Sequence, residues 1–320
     1  MPGPHVKVPA DVLRRGVPTW LRWALTLLLL LTTAMFLDVS EVWQELARFS
    51  LPMLLAAMVI SVLQVLVSAW RWRYTAARLA ILLPFVVAVR EYYLATFLNQ
   101  VLPGGVLGDV NRAWRHSLDS GARLGAVHAV MIERLSGQVV MISVALGLGT
   151  WLAMHQGQAA GVVADLGGVA VAVVAVVMIA LGVVGRFWAP GRGYVHALRR
   201  DIRLALLSWP AIVVQLSSSA LVVATYLGVF ALLALAAGYL NGPLEVLVLM
   251  ALCSLLLLAM AVPVSVAGWG VREGAAALLW PLAGLPPEQG VALSVGYGLA
   301  VLVSSLPGVL FIVRGRRPAG

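Results

Sequence analysis

Charge is scarce in this chain. Only 11% of its 320 residues are charged, where soluble globular proteins carry about 25%. Cysteine occurs once, at Cys253, which excludes an intrachain disulfide and a cysteine metal site. Set in an apolar run, that thiol reads as a small buried hydrophobe. Lysine is almost missing: of the 22 basic residues only Lys7 is not arginine, a compositional habit rather than a functional sign. No G-x-x-x-x-G-K-[ST] loop occurs, so the sequence carries no ATP motor of that class. His116, His128, His155 and His196 are scattered, and none forms a spaced metal pair. No metal and no cofactor is therefore assigned. Gly268-x-Gly270-x-x-x-Gly274 has the wrong spacing for a dinucleotide fingerprint and fits close helix packing better.

What is abundant is apolar length. Hydrophobic residues make up 62% of the chain and the mean hydropathy is +0.97. Runs of about 18 or more apolar residues cross a hydrocarbon layer of about 30 Å as helices, the conformation that satisfies the backbone within the segment. Such runs, some interrupted, lie at about 23–37, 51–69, 82–102, 126–154, 166–185, 210–237, 244–262 and 291–313, with a shorter helical piece at 271–282. The first run ends in Met35-Phe36-Leu37-Asp38, without a small-residue cleavage site, so it reads as a retained helix. The expected fold is an all-α integral membrane protein with about six to eight transmembrane helices and two Gly/Pro-broken re-entrant segments. Residues 1–22 form a basic cytoplasmic segment, 23–313 one transmembrane domain and 314–320 a basic cytoplasmic tail.

The net charge of +9 suits cytoplasmic loops better than a nucleic-acid partner, because Lys and Arg collect on the cytoplasmic side. Basic clusters at 7–22, 71–90, 112–123, 186–203 and 314–317 face the cytoplasm on that rule, whereas the acidic loop at 38–48 and the segments 155–165, 238–245 and 284–288 hold Arg48 as their only basic residue and face outward. Both termini then lie inside, with six spans and two hairpins at 82–109 and 244–282. A plain eight-span arrangement would put Arg112, Arg115 and Arg123 outside. Trp70-Arg71-Trp72-Arg73-Tyr74 reads as an interfacial belt.

The two breaks echo one another. Pro103, Gly108 and Arg112 stand at relative positions 0, +5 and +9, as do Pro263, Gly268 and Arg272. Each arginine has an acid near it, Asp109 or Glu273. Paired broken helices mark inverted-repeat transporters, where helix ends meet anionic groups near the midplane. Intramembrane charge usually pairs or works. Arg112, Arg134 and Arg272, with Asn99, are candidate ligands of an anionic headgroup. Asp109, Glu133 and Glu273 are candidate partners of those arginines or proton carriers. Pro103, Gly104, Gly105, Gly108, Pro263, Gly268 and Gly270 are candidate backbone breaks. The structural alternatives are a helix N-cap for Asp109, a topology signal for Arg112, an ion pair for Glu133 with Arg134, and a pair with an acid across the repeat for Arg272.

Phe97 to Gly105, continued by Gly108-Asp109-Val110-Asn111-Arg112, resembles the N-x-x-x-P-G…G-G-D-x-x-R signature of the lysylphosphatidylglycerol synthase transmembrane-region family, flippase-like membrane proteins. Glu133-Arg134-Leu135 is similar to its E-R signature, and Pro263 to Gly274 to its late P-x-S-x-G-G-x-G-x-R-E-G signature. The resemblance implies a multi-pass inner-membrane protein that binds or translocates an anionic phospho- or glycolipid, with membrane lipids, anionic or polyprenyl-phosphate-linked, as partners. The alternatives are a non-catalytic subunit assisting an envelope-biosynthesis enzyme, and a membrane-embedded lipid-modifying enzyme, although no nucleophile is marked. Two features depart from the pattern. The sequence ends at Gly320 without a soluble aminoacyl-transferase domain, which leads to the expectation that it does not make lysylphosphatidylglycerol. Gly105-Val106-Leu107-Gly108 stands where the family often has adjacent glycines.

Overall fold

A computed structural model describes residues 19–102, 105–156, 192–240, 242–260 and 265–313. The described residues form helices and contain no β-strand, as uninterrupted apolar runs in lipid require. In chain order the helices are α1 (Thr19–Phe36), α2 (Val39–Ala47), α3 (Leu51–Arg78), α4 (Phe85–Val101), α5 (Leu107–Ser120), α6 (Arg123–Gln156) and α7 (Arg192–Ile202), which runs into a π-turn at Arg203–Leu207. They continue with α8 (Ala211–Ala236), α9 (Pro243–Met260), α10 (Val271–Leu282), α11 (Pro287–Ser305) and α12 (Pro307–Val313). Of the expected N-terminal segment 1–22, residues 19–22 open α1 and 1–18 lie outside the described residues, as do the expected segments at 166–185 and 314–320 and the residues Pro103, Gly104 and Pro263.

Five stretches are long and apolar enough to cross a membrane: α3, the Arg123–Leu152 part of α6, α8, α9, and Pro287–Phe311 across α11 and α12. A sixth arises if Trp23–Phe36 and Val39–Ala47, bent by 96° to one another, count as one span. The outer surface suits a lipid solvent. Leu27, Leu28 and Leu31 of α1, Leu55 and Val59 of α3 and Leu278 of α10 are all exposed, a pattern that would mark an interaction or aggregation surface on a water-soluble protein. The mass of the interior lies where α6, α8, α9, α10 and α11 meet, with Phe230 stacked on Tyr297 at 4.3 Å between ring centres. A second cluster centres on the fully buried Trp72, between α3, α4 and α6.

Residues 38–48, expected as an acidic loop, include the helix α2. Asp38 makes the difference. Its carboxylate accepts from the Ser40 and Glu41 backbone N–H groups at 2.8 and 3.4 Å and from the Ser40 hydroxyl at 2.6 Å. Those contacts satisfy donors that a helix start leaves open, and Glu41 in the first turn complements the helix dipole. Asp38→Ala should cost about 1 kcal/mol of local stability. Hydrogen exchange at the Ser40 and Glu41 amides should then accelerate roughly fivefold; unchanged protection would show that the cap is not what starts α2.

Both broken segments end in a short helix. α4 stops at Val101, Gly105 adopts φ +61°, and α5 follows. α9 stops at Met260, Gly268 and Gly270 adopt φ +80° and +83°, and α10 follows. Only glycine takes those angles without strain. Glu273 then reaches back, its Oε2 accepting from the Gly270 N–H at 2.7 Å, which fixes the start of α10.

Candidate functional site: a buried arginine cluster at a cavity

The charged residues of the first break converge inside the helix bundle. Arg112 on α5 is wholly buried. Its Nε donates to Asp109 Oδ1 at 2.8 Å and its Nη2 to Glu133 Oε2 at 2.6 Å. Its guanidinium carbon lies 4.8 Å from the centre of the Trp72 ring and 4.5 Å from that of Tyr92, a desolvated cation between two π faces. Asp109, read from the sequence as a partner of the arginines or a proton carrier with a helix N-cap as the structural alternative, sits in the first turn of α5. Its carboxylate is taken by arginine: Arg134 Nη2 donates to Oδ1 at 2.8 Å and lies 2.6 Å from Oδ2, beside the Arg112 contact. The capping role falls to Asn99 from α4, whose Oδ1 accepts from the Gly108 N–H at 2.7 Å while its Nδ2 donates to Asp109 Oδ2 at 3.0 Å.

Glu133 is the second hub. Besides Arg112 it accepts from the Tyr92 hydroxyl at 3.3 Å, and Arg71 Nη1 lies 3.7 Å from Oε1. Arg71 belongs to the stretch expected as an interfacial belt, and that expectation fails for it and for Trp72: both are buried, while Trp70 and Arg73 stay exposed. The reason is helical phase. Gln64, Ser68, Arg71 and Thr75 recur at intervals of four, three and four, so they share one face of α3, and that face turns inward. Arg71 Nη2 donates to the Glu133 carbonyl at 3.0 Å and to Ser136 Oγ at 2.8 Å, and Gln215 of α8 ties Thr75 into the same network at 2.8 Å.

The charges do not cancel. Three guanidiniums (Arg71, Arg112, Arg134) meet two carboxylates (Asp109, Glu133), which leaves one positive charge in excess among the described residues, with Arg71 and Arg112 shielded from water. Several donors are also unspent: Arg71 Nε, Arg112 Nη1 and Arg134 Nε have no hydrogen-bond acceptor among the described residues. Arg134 is the accessible member, its side chain 39% exposed against 0% for Arg112.

Beside this cluster lies a cavity of about 110 Å³, far more than the roughly 10–15 Å³ that one water needs. Arg134, Glu133, Gln138 and Met141 of α6 form one wall, with Arg71 and Ser68 of α3 and Tyr92 of α4 adjoining it. Ser219, Val222, Val223 and Tyr226 of α8, with Leu257 and Met260 of α9, also line it.

The second break builds a smaller centre of the same kind. Arg272 is buried, and it pairs with its neighbour Glu273 at 2.9 Å rather than with an acid across the repeat. Ser294 completes the knot, accepting from Arg272 Nε at 2.6 Å and donating to Glu273 Oε1 at 2.7 Å. Trp269 and Tyr297 flank the guanidinium, their ring centres 5.0 and 5.4 Å from its carbon. Each break thus places an arginine between a Trp and a Tyr and against a carboxylate. Arg272 is not a cavity-lining residue, but its Nη1 approaches Met260 Sδ at 3.7 Å, and Met260 lines the cavity. The structure therefore brings Asn99, Asp109, Arg112, Glu133 and Arg134 together, and sets Arg272 with Glu273 apart.

Sequence reasoning missed Arg71, Tyr92, Ser219, Tyr226 and Met260. The period of the polar residues along α3 was the available signal for Arg71. The others look like ordinary members of apolar helices.

The fold and site define a polytopic helical membrane protein with an electropositive cluster enclosed among its helices. The chain belongs to the family described as the lysylphosphatidylglycerol synthase TM region, whose model matches residues 19–308. No curated protein and no solved structure matches it.

Proposed function

We propose that this protein is a flippase-like lipid transporter of the inner membrane that takes a net-anionic headgroup into the cavity beside Arg134. The observation that carries the reading is the uncompensated positive charge: three guanidiniums against two carboxylates, next to a cavity with Arg134 on its wall. Guanidinium forks suit phosphate oxygens, and Arg134 Nε has no acceptor of its own. Asp109, Arg112, Glu133 and Asn99 are positioning residues in this scheme. They hold Arg134 in place and keep their own charges paired, and Arg272 with Glu273 fixes the second break. The distribution of arginine along the chain supports cytoplasmic termini.

The test is native mass spectrometry of the protein extracted in mild detergent with its co-purifying lipids. The wild type should retain an anionic phospholipid, and Arg134→Ala should lose at least tenfold in occupancy at equal folded yield. Arg48→Ala, at an exposed pair with Glu45, should behave as wild type. Retention unaffected by Arg134→Ala would remove the headgroup site and favour a non-catalytic membrane subunit. A chemically altered lipid after incubation would favour an enzyme.

A further inference from the structure

We infer that the cavity selects phosphate headgroups that carry neutral hydroxyls and no amine, and that Ser219 and Tyr226 set this preference. The inference rests on the anionic-headgroup reading above and narrows its substrate class.

The cavity walls limit which headgroups can be held. An ammonium group needs a carboxylate or an open aromatic face. Both carboxylates of the cluster are spent: Asp109 on Arg112, Arg134 and Asn99, Glu133 on Arg112, Arg71 and Tyr92. The Tyr92 face is covered by the Arg112 guanidinium, so Tyr226 is the one aromatic of the lining left to an amine, and it brings no countercharge. An amine would therefore enter a site that already holds an excess positive charge, with no unpaired carboxylate among the described cavity residues to meet it. In so poorly solvated a place, like charges repel far more strongly than in water.

The α8 part of the lining brings two hydroxyl groups, from Ser219 and Tyr226, and no charge. Ser219 on α8 is fully buried, lines the cavity, and its hydroxyl has no hydrogen-bond partner among the described residues. A buried hydroxyl without a partner is costly and calls for a ligand group that both donates and accepts. Tyr226 stands seven residues further along the same helix, on the same face, and also lines the cavity. A phosphate held by Arg134 on α6 would leave its substituent in the same cavity as these two hydroxyl groups. A glycerol or sugar substituent fits that pairing; an aminoethyl or trimethylammonium group does not.

The experiment is lipid competition on the intact protein in nanodiscs, read by native mass spectrometry, with phosphatidylglycerol, phosphatidylinositol, phosphatidic acid, phosphatidylethanolamine and phosphatidylcholine as probes. Free glycerol 1-phosphate is a separate competitor that distinguishes a lipid from a soluble phosphate. Phosphatidylglycerol and phosphatidylinositol should exceed both amine lipids by at least about tenfold, some 1.4 kcal/mol. Ser219→Ala and Tyr226→Phe should each weaken phosphatidylglycerol several-fold and leave phosphatidic acid, which has no headgroup hydroxyl, unchanged. Glycerol 1-phosphate should displace phosphatidylglycerol only at large excess. Equal binding of phosphatidylethanolamine, or equal losses for phosphatidic acid in the two variants, would overturn the selectivity. The broader headgroup reading would survive either result if Arg134→Ala still abolished anionic lipid binding, and would fall if it did not. Displacement by stoichiometric glycerol 1-phosphate would make the ligand a soluble phosphate ester and overturn the lipid class proposed here.

Discussion

Glu133→Ala should destabilise the protein by about 3–5 kcal/mol, the usual cost of removing one partner from a buried ion pair. Two cations depend on that carboxylate. Arg112, whose side chain is wholly buried, loses its shortest contact at 2.6 Å, and Arg71, 3% exposed, loses the nearest carboxylate at 3.7 Å. Neither can turn to water. The excess charge of the cluster would rise from one to two, and the Tyr92 hydroxyl would lose its acceptor. Glu133→Gln keeps the shape and one acceptor oxygen, so it should fall between the wild type and Glu133→Ala. The contrast is Arg48→Ala, which breaks a pair whose arginine is 53% exposed and should cost roughly 0–1 kcal/mol. Thermal unfolding in detergent, followed by size-exclusion fluorescence, ranks the three. A melting temperature for Glu133→Ala equal to the wild type would mean that the cluster is not a folding centre.

Gly108→Ala should be the most disruptive of the glycine substitutions in the first break. A Cβ there would lie 2.0 Å from the Ala95 carbonyl oxygen and 2.7 and 2.8 Å from its C and Cα atoms. All three are backbone atoms of α4, so no side chain can swing away; α5 must move off α4. That shift would break the Asn99 contact to the Gly108 N–H and displace Asp109, the residue that anchors Arg134. Overpacking of this kind costs about 1–3 kcal/mol, and anionic-lipid binding should drop with it. Gly105→Ala is the informative comparison. It meets nothing within 4 Å and suffers only from φ +61°, a strain of about 1–2 kcal/mol that leaves the α4–α5 contact intact. Lipid binding should therefore survive Gly105→Ala and fail in Gly108→Ala; the reverse order would place the headgroup at the turn rather than in the cavity.

The comparison of these two glycines shows what a sequence can and cannot convey. Both read as backbone breaks. Among the described break glycines, Gly105, Gly268 and Gly270 act through unusual dihedrals; Gly108 lies inside α5 and matters because of what touches it, a fact that lives in the packing of two helices. The helices themselves were legible, because runs of leucine, valine and alanine long enough to cross a bilayer have few alternatives. The α1–α2 bend was not, since Asp38 at the end of an apolar run looks the same whether it opens a loop or caps a helix. Within the site, intramembrane charge pointed to Asp109, Arg112, Glu133 and Arg134. It did not show that Arg112 would be sealed in by Trp72 and Tyr92 while Arg134 kept an open side, nor that Arg272 would be satisfied by its own neighbour. Exposure of a charge depends on which residues cover it, and those come from other helices.

The central claim is that a phosphate headgroup occupies the cavity against Arg134. A structure determined in nanodiscs rich in phosphatidylglycerol tests it most directly. The account predicts phosphate density within hydrogen-bond distance of the Arg134 guanidinium, with the headgroup reaching toward Ser219 and Tyr226. Lipid density confined to Arg90 and Arg115, which share Glu91, with none against Arg134, would contradict it.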